Sequence, residues 1–252
     1  MLLLFDIGNT NTHLGIANSK RVIAQRNIPT NSWFKGGAEE MIQDFVSQRR
    51  ITGTALCSVV PKATPRAIRT ATRLGGKRCF VLNHQSISGV GINYPQPQSI
   101  GPDRLANSLA ASHHFGSPVV VVGFGTAVAF DVVDQHRNYI GGIIAPGLAA
   151  MTEYLHEKTA LLPEIKIREV KAVVGKSTEE AMLIGAVHGY RGLIRELIAE
   201  LKAELRSPAL PVIATGGYAS LIAAKLPEIT SVVPLLTLEG LRLSWEGANI
   251  SP

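Results

Sequence analysis

Cysteine is nearly missing from this chain: Cys57 and Cys79 are the only two in 252 residues. That excludes a disulfide-built scaffold and a cysteine-rich zinc cluster, and it fits a reduced, cytoplasmic setting. Charged residues make up 17% of the sequence and aromatics 6%. No basic run interleaved with aromatics stands out, so nucleic acid is not the expected partner. The 25 Lys and Arg exceed the 19 Asp and Glu by six, but they are scattered, and such a surplus suits a phosphorylated small molecule equally well. No apolar run approaches the roughly 18–20 residues that span a bilayer. The run Met1 to Phe5 meets Asp6 at once and has no basic leader, so it reads as a buried first strand rather than a secretory signal.

What is present is enough hydrophobic residue, 46% of the chain, to build a substantial core, and a length that suits two domains of roughly 120 residues each. The chain also repeats itself. LLLFDIGNTNTHLGIA, residues 2–17, returns as VVVGFGTAVAFDVV at 120–133. Aligned on their glycines, Asp6-Ile7-Gly8-Asn9-Thr10 lies over Gly123-Phe124-Gly125-Thr126-Ala127, so one copy carries an acid where the other carries glycine. Each copy reads as strand, tight turn, returning strand. Two similar α/β domains are therefore expected, 1–117 and 118–252.

Further strands are expected at 54–60, 78–82 and 211–214, and helices at 38–48, 65–74 and 103–114, the last begun by Pro102. Ser177-Thr178-Glu179-Glu180 is a capping box. It opens a long helix whose apolar stripe runs through Leu193, Ile194, Leu197, Ile198, Leu201 and Leu205. Tyr94-Pro95-Gln96-Pro97-Gln98 reads as a loop.

A glycine after a strand lets the backbone curl so that several N–H groups converge, which makes an anion site. Asn9, Thr10, Asn11, Thr12 and Thr126 add small polar side chains. Two such turns facing each other across a cleft would hold a polyphosphate between two domains, and Asp6 at the base of one would hold Mg²⁺, which favours oxygen ligands. A single copy would read as an ordinary hairpin; the matched pair favours phosphate binding. Gly175-Lys176-Ser177 fails as a P-loop because Val170 stands where the first glycine should be. His113 and His114 are adjacent on a helix and point apart, against a metal pair. Thr215-Gly216-Gly217 either ends a strand or admits a flat base or ribose. Asp103 and Arg104 open a helix: the acid either complements the helix dipole or takes a proton from a hydroxyl while the arginine orients an anionic substrate.

Together these segments resemble one family. Asp6 to Thr10, Cys57-Ser58-Val59-Val60-Pro61, Gly101-Pro102-Asp103-Arg104-Leu105-Ala106-Asn107, Gly125-Thr126-Ala127, Gly141 to Gly147, Thr215-Gly216-Gly217 and Leu236 to Leu241 resemble the type III pantothenate kinases, in the same order along nearly the whole chain. The resemblance implies a duplicated actin-like, sugar-kinase-like (ribonuclease H-like) α/β fold with a cleft between two similar domains. It also implies ATP and Mg²⁺ binding, and transfer of the γ-phosphoryl group to pantothenate to give 4′-phosphopantothenate, the first step of coenzyme A biosynthesis. Residues Asp6, Ile7, Gly8, Asn9, Thr10, Asn11, Thr12 and His13 would hold ATP, joined by Thr126, with Asp6 on Mg²⁺. Asp103 would be the general base, and Tyr94, Gly101, Pro102, Asp103 and Arg104 would line the pantothenate pocket. Thr178 would complete that pocket from the partner subunit of a homodimer. Gly123 departs from the family, which usually has aspartate there, associated with a required potassium or ammonium ion. A catalytically weak regulatory member of the same fold, an accessory factor that binds pantothenate or nucleotide, is the alternative.

Overall fold

The computed structural model describes the backbone of residues 1–250 and the side chains of 1–249. Its strands are β1 (Leu2–Ile7), β2 (Asn11–Ala17), β3 (Val22–Pro29), β4 (Gly53–Ser58), β5 (Phe80–Val81), β6 (Gly91–Ile92), β7 (Val119–Phe124), β8 (Ala127–Val133), β9 (Asn138–Pro146), β10 (Val212–Gly216) and β11 (Ser231–Val232). The helices are α1 (Ser32–Lys35), α2 (Ala38–Val46), α3 (Thr64–Gly75), α4 (Pro102–Phe115), α5 (Leu148–Lys158), α6 (Thr178–Ile184), α7 (Tyr190–Glu204), α8 (Ala219–Ala223) and α9 (Leu236–Ile250).

The duplication is written in the strand order. One sheet runs β3-β2-β1-β4-β5; the other runs β9-β8-β7-β10-β11, with β6 added beyond β9. In each, a central strand pairs antiparallel with the strand after it in the chain and parallel with a strand that returns through helices. A crossover of that kind is what a parallel neighbour requires. The expected α/β duplication is therefore present as two mixed sheets of matching topology.

Contacts group the chain into two compact units that are not cut at one point. The first is Met1–Gly116 with Gln135–Ile140 and Leu235 onwards; the second is Ser117–Asp134 with Gly141–Pro234. The sequence-based division at 117/118 thus misplaces 135–140 and the last helix. The reason is packing: Leu238 and Leu241 of α9 are buried with Leu2, Leu4, Ala55 and Ala106 of the first unit. In addition Arg242 is held by Glu239 and Glu246 at 2.7 Å each, while Glu239 accepts the Val22 N–H.

Strand parity sets up the site. On β1, Leu3, Phe5 and Ile7 face a core with Ile42, Phe45, Ala67 and Ala71 of α2 and α3. Leu2 and Leu4 face the opposite side, with Ala106 of α4 and with α9. Both faces are covered, which explains the unbroken apolar run. Side chains alternate along a strand, so Asp6 shares the face of Leu2, Leu4 and Cys57. That is the face on which α4, opening at Pro102-Asp103, is packed. The long helix expected after Ser177 is interrupted: α6 and α7 are joined by a π turn, Gly185–Gly189. Of its expected stripe, Ile194 and Ile198 are fully buried and the leucines are half-buried.

Candidate active site

In the first unit, Asp6 pairs across the hairpin with His13 and, on its other side, with Cys57. The Cys57 thiol donates to Asp6 Oδ1 at 3.4 Å. Burial pushes the Asp6 carboxyl up to about 6; His13 offsets this, Asp103 adds to it, and the thiol hydrogen bond lowers it slightly. A carboxylate with such a pKa is short of positive charge, and no lysine or arginine forms an ion pair with it among the described residues. Cys57 itself is held as a thiol, since burial and the two neighbouring acids push it well above its ordinary range.

Asp103 sits in the first turn of α4, where Pro102 starts the helix and Gly101 caps it. Its Oδ1 is buried without a hydrogen-bond partner. Burial raises its pKa, partly offset by the backbone N–H and charge of Arg104. An unpartnered buried carboxylate oxygen is costly and is the kind of group a substrate hydroxyl would satisfy. Gly101 leaves this carboxylate its place: a Cβ there would lie 2.5 Å from Asp103 Oδ1. Arg104 lies over the Tyr139 ring at 5.7 Å, and Tyr94 meets the same ring edge-on at 5.9 Å. The first unit therefore brings Asp6, Tyr94, Gly101, Pro102, Asp103 and Arg104 onto one side of its sheet or the loops beside it.

Residues 6–13, expected to hold ATP, divide between the turn and the two faces of its hairpin. Gly8, Asn9, Thr10 and Asn11 form the turn, closed by Gly8 N–H donating to Asn11 O at 3.0 Å, and Asn9, Thr10 and Asn11 are exposed. Ile7 and Thr12 are fully buried on the opposite face from Asp6. The pleat sends alternate residues to opposite faces, so the side chains of Ile7 and Thr12 are packed behind the turn. His13, back on the Asp6 face, is half-buried and bonds Asn27 Oδ1 at 2.7 Å.

In the second unit Gly125, Thr126 and Ala127 are exposed at the tip of the β7–β8 hairpin, where Gly125 N–H donates to Ala127 O at 3.1 Å. Gly147 N–H donates to Thr126 O at 3.1 Å and leads into α5. Gly216 ends β10 with φ +96°, and a Cβ there would collide with the Phe124 backbone. A cavity of about 810 Å³ lies in this unit, lined among others by Thr152 and His156 of α5, Lys166, and Tyr218, which follows the Thr215-Gly216-Gly217 turn. Thr178 is exposed at the start of α6. The capping box is modified: Ser177 Oγ accepts from Glu180 N–H at 3.1 Å, but the Glu180 carboxylate takes the Lys176 N–H at 2.6 Å.

A profile of the type III pantothenate kinases matches residues 2–200. The chain is 43% identical to the type III pantothenate kinase of Akkermansia muciniphila over 249 residues, 98% of this chain and 99% of that one. The chain belongs to the type III pantothenate kinase family. Its fold is also that of a Baf family transcriptional activator candidate from Campylobacter jejuni, at TM-score 0.61 and 19% identity over 97% of this chain and 98% of that one. A candidate 2-dehydro-3-deoxygalactonokinase from Sinorhizobium meliloti matches at TM-score 0.60 and 13% identity, over 100% and 98%. These place the chain in the sugar-kinase-like, actin-like fold class.

Three residues near the candidate site have contacts that a motif reading does not give. Tyr139 lies in the 135–140 segment, where nothing in the sequence signals that it joins the first unit. Cys57 was legible only as part of a family motif, not as the hydrogen-bond donor to Asp6. Thr30 bonds the first turn, its N–H donating to Thr10 O at 2.9 Å, and no local pattern marks it.

Proposed function

We propose that the protein phosphorylates pantothenate at the expense of ATP, giving 4′-phosphopantothenate for coenzyme A biosynthesis, with Asp103 as general base. The observation that carries the reading is the buried, unpartnered Asp103 Oδ1 beside Arg104, on the same side of the first sheet as Asp6. In the reaction the pantothenate primary hydroxyl oxygen bonds to the γ-phosphorus, the bond from that phosphorus to the bridging β,γ-oxygen breaks, and ADP leaves. Asp103 accepts the hydroxyl proton, and its raised pKa brings it nearer the range in which a carboxylate is an effective base. Arg104, held against Tyr139, orients the pantothenate carboxylate, with Tyr94, Gly101 and Pro102 around it.

Gly8, Asn9, Thr10 and Asn11, with the backbone of Ile7, Thr12 and His13, take the ATP phosphates, as does Thr126 of the second turn. The 810 Å³ cavity bordered by Tyr218 has the size of a nucleoside site. Mg²⁺ fits Asp6, because a half-buried carboxylate without a lysine or arginine partner offers hard oxygen ligands and gains from an added cation. That ion would neutralise charge on the transferring phosphates. We assign Thr178 to the pantothenate pocket of a partner subunit in a homodimer, and the protein to the cytoplasm. No helix among the described residues is long and apolar enough to cross a membrane.

Incubation with ATP, Mg²⁺ and pantothenate, with and without potassium or ammonium, followed by mass spectrometry, tests the reading. Absence of 4′-phosphopantothenate under all these conditions would overturn it. Gly123 favours one second reading, a weakly catalytic member that binds pantothenate or nucleotide for regulation. That reading expects binding by calorimetry with negligible turnover.

A further inference from the structure

Behind the first turn runs a chain of hydrogen bonds whose direction is fixed by its ends. Trp33 Nε1, which can only donate, lies 3.0 Å from Thr12 Oγ1. Thr12 Oγ1 lies 3.1 Å from Thr30 Oγ1, and Thr30 Oγ1 donates to Gly8 O at 2.7 Å, an atom that can only accept. Because the Thr30 proton is committed to Gly8, Thr12 is the donor between the two threonines. Each hydroxyl therefore accepts one bond and donates one, and the chain reads Trp33, Thr12, Thr30, Gly8 without a free choice. All three side chains are buried, at 4%, 0% and 1% exposure. Thr30 holds the turn a second time, through its N–H to Thr10 O at 2.9 Å.

The second half of the molecule supplies the comparison. There Gly147 N–H donates to Thr126 O at 3.1 Å, matching Thr30 and Thr10. In the hairpin register Val128 stands opposite Phe124 as Thr12 stands opposite Ile7. The backbone latch is thus common to both turns, while Val128 and Gly147 lack the two hydroxyls. The side-chain chain belongs to the first turn alone.

We propose that Thr30 is a positioning residue that sets the shape of the Gly8-Asn9-Thr10 turn through this oriented chain. That this shape serves ATP rests on the phosphate-binding reading of the turn given above. Thr30→Val keeps the side-chain volume but strands Gly8 O and the Thr12 hydroxyl; Thr30→Ser keeps the oxygen. Amide hydrogen exchange of residues 8–12 in the substrate-free protein reads the turn directly. Loss of the two hydrogen bonds made by the Thr30 hydroxyl predicts at least about tenfold faster exchange in Thr30→Val, restored in Thr30→Ser. The KM for ATP should rise about tenfold in Thr30→Val, with less than a twofold change in the KM for pantothenate. Unchanged exchange in folded Thr30→Val, or failure of serine to restore it, overturns the proposal. Should the valine variant not fold, Thr30→Ala removes the same hydroxyl without valine's branched side chain, and unchanged exchange there overturns the proposal as well. Faster exchange with an unchanged KM for ATP upholds Thr30's hold on the turn and counts instead against the phosphate role of that turn.

Discussion

Asp6 and Gly123 occupy the same place in two copies of one hairpin: Asp6 faces His13 and Cys57, and Gly123 faces Ala129 and Thr215. Nothing in the backbone requires glycine at 123. Its φ is not left-handed, and a Cβ would meet only Ala129 O, at an ordinary 3.8 Å. Gly123→Asp should therefore fold, with the melting temperature within a few degrees of the parent. A carboxylate there would supply the fixed charge that a monovalent cation site lacks in its absence. The expected outcome is a turnover rate that rises with potassium in the variant, sodium being much weaker, while the parent is slow or indifferent to potassium. Saturable potassium activation of the parent, unchanged by the substitution, would show that another group fills the role.

Asp103 and Gly101 can be tested as a pair. Asp103→Asn keeps size and removes the proton acceptor, so kcat should fall by roughly 10²–10⁴ with pantothenate binding retained. Gly101→Ala leaves the acid in place but pushes a methyl to within 2.5 Å of its Oδ1. The carboxylate must then move, and kcat should fall by roughly ten- to a hundredfold. Steady-state kinetics with calorimetry of pantothenate binding separates the two. Near-parent kcat in Asp103→Asn would return the residue to a helix-starting role.

Asp6 couples the site to stability. Its carboxyl is raised from 3.8 to about 6 by burial first and by Asp103, and Asp103 is raised as well. A group whose folded pKa exceeds its unfolded one binds its proton more tightly in the native state. Its contribution is therefore full below about pH 4 and is lost as pH rises through about 6. For Asp6 this amounts to on the order of 3 kcal/mol. Asp6→Asn should flatten the decline between pH 4 and 6 and stabilise the metal-free protein at pH 7, while abolishing activity. In urea titrations at pH 7.5, Mg²⁺ should raise the midpoint of the parent but not of the variant.

Much of this arrangement was legible beforehand, and the gaps have physical causes. Leu2–Phe5 and Val119–Val122 announce buried strands because both sheet faces are covered, and the Gly turns announce hairpins. Pro102 marks the start of α4 to the residue. What a linear pattern cannot carry is the meaning of parity at a turn. Thr12 reads as one more polar residue beside Asn11, yet it faces the core and bonds Trp33. Nor can it show that α9 and residues 135–140 return to the first unit, since those contacts join distant positions, as in Thr237 Oγ1 donating to Asn107 Oδ1 at 2.8 Å and Gly91 pairing with Asn138.

Thr178 tests the homodimer. It is exposed at the first position of α6, so Thr178→Arg should cost the subunit itself only about 0.3–1 kcal/mol through an unfavourable helix dipole. In a shared pocket the same change should raise the KM for pantothenate at least tenfold and leave the KM for ATP nearly unchanged. Sedimentation should give a dimer for the parent. A fully active monomer would refute the assignment.

The segment leading to Thr178 has almost no secondary structure, so its position depends on side chains, Arg191 among them. Its guanidinium is buried, donates to both Glu169 oxygens at 3.0 and 2.6 Å, and reaches Leu221 O at 2.6 Å and Ile222 O at 3.3 Å. One side chain of α7 thus holds the extended segment and α8 together. Glu169 is 40% exposed, so water screens the ion pair and the carbonyl contacts carry much of the effect. Arg191→Met should destabilise the protein by about 2–4 kcal/mol, because it removes a donor from the Leu221 and Ile222 carbonyls and breaks a pair with one buried partner. Glu169→Gln, which keeps a hydrogen-bond acceptor and leaves the carbonyls served, should cost about 1 kcal/mol or less. Hydrogen exchange should quicken across residues 164–177 in the methionine variant, while the β1–β2 hairpin of the other unit stays protected. Equal losses for the two variants would mean that the exposed ion pair, not the carbonyl contacts, holds the segment down.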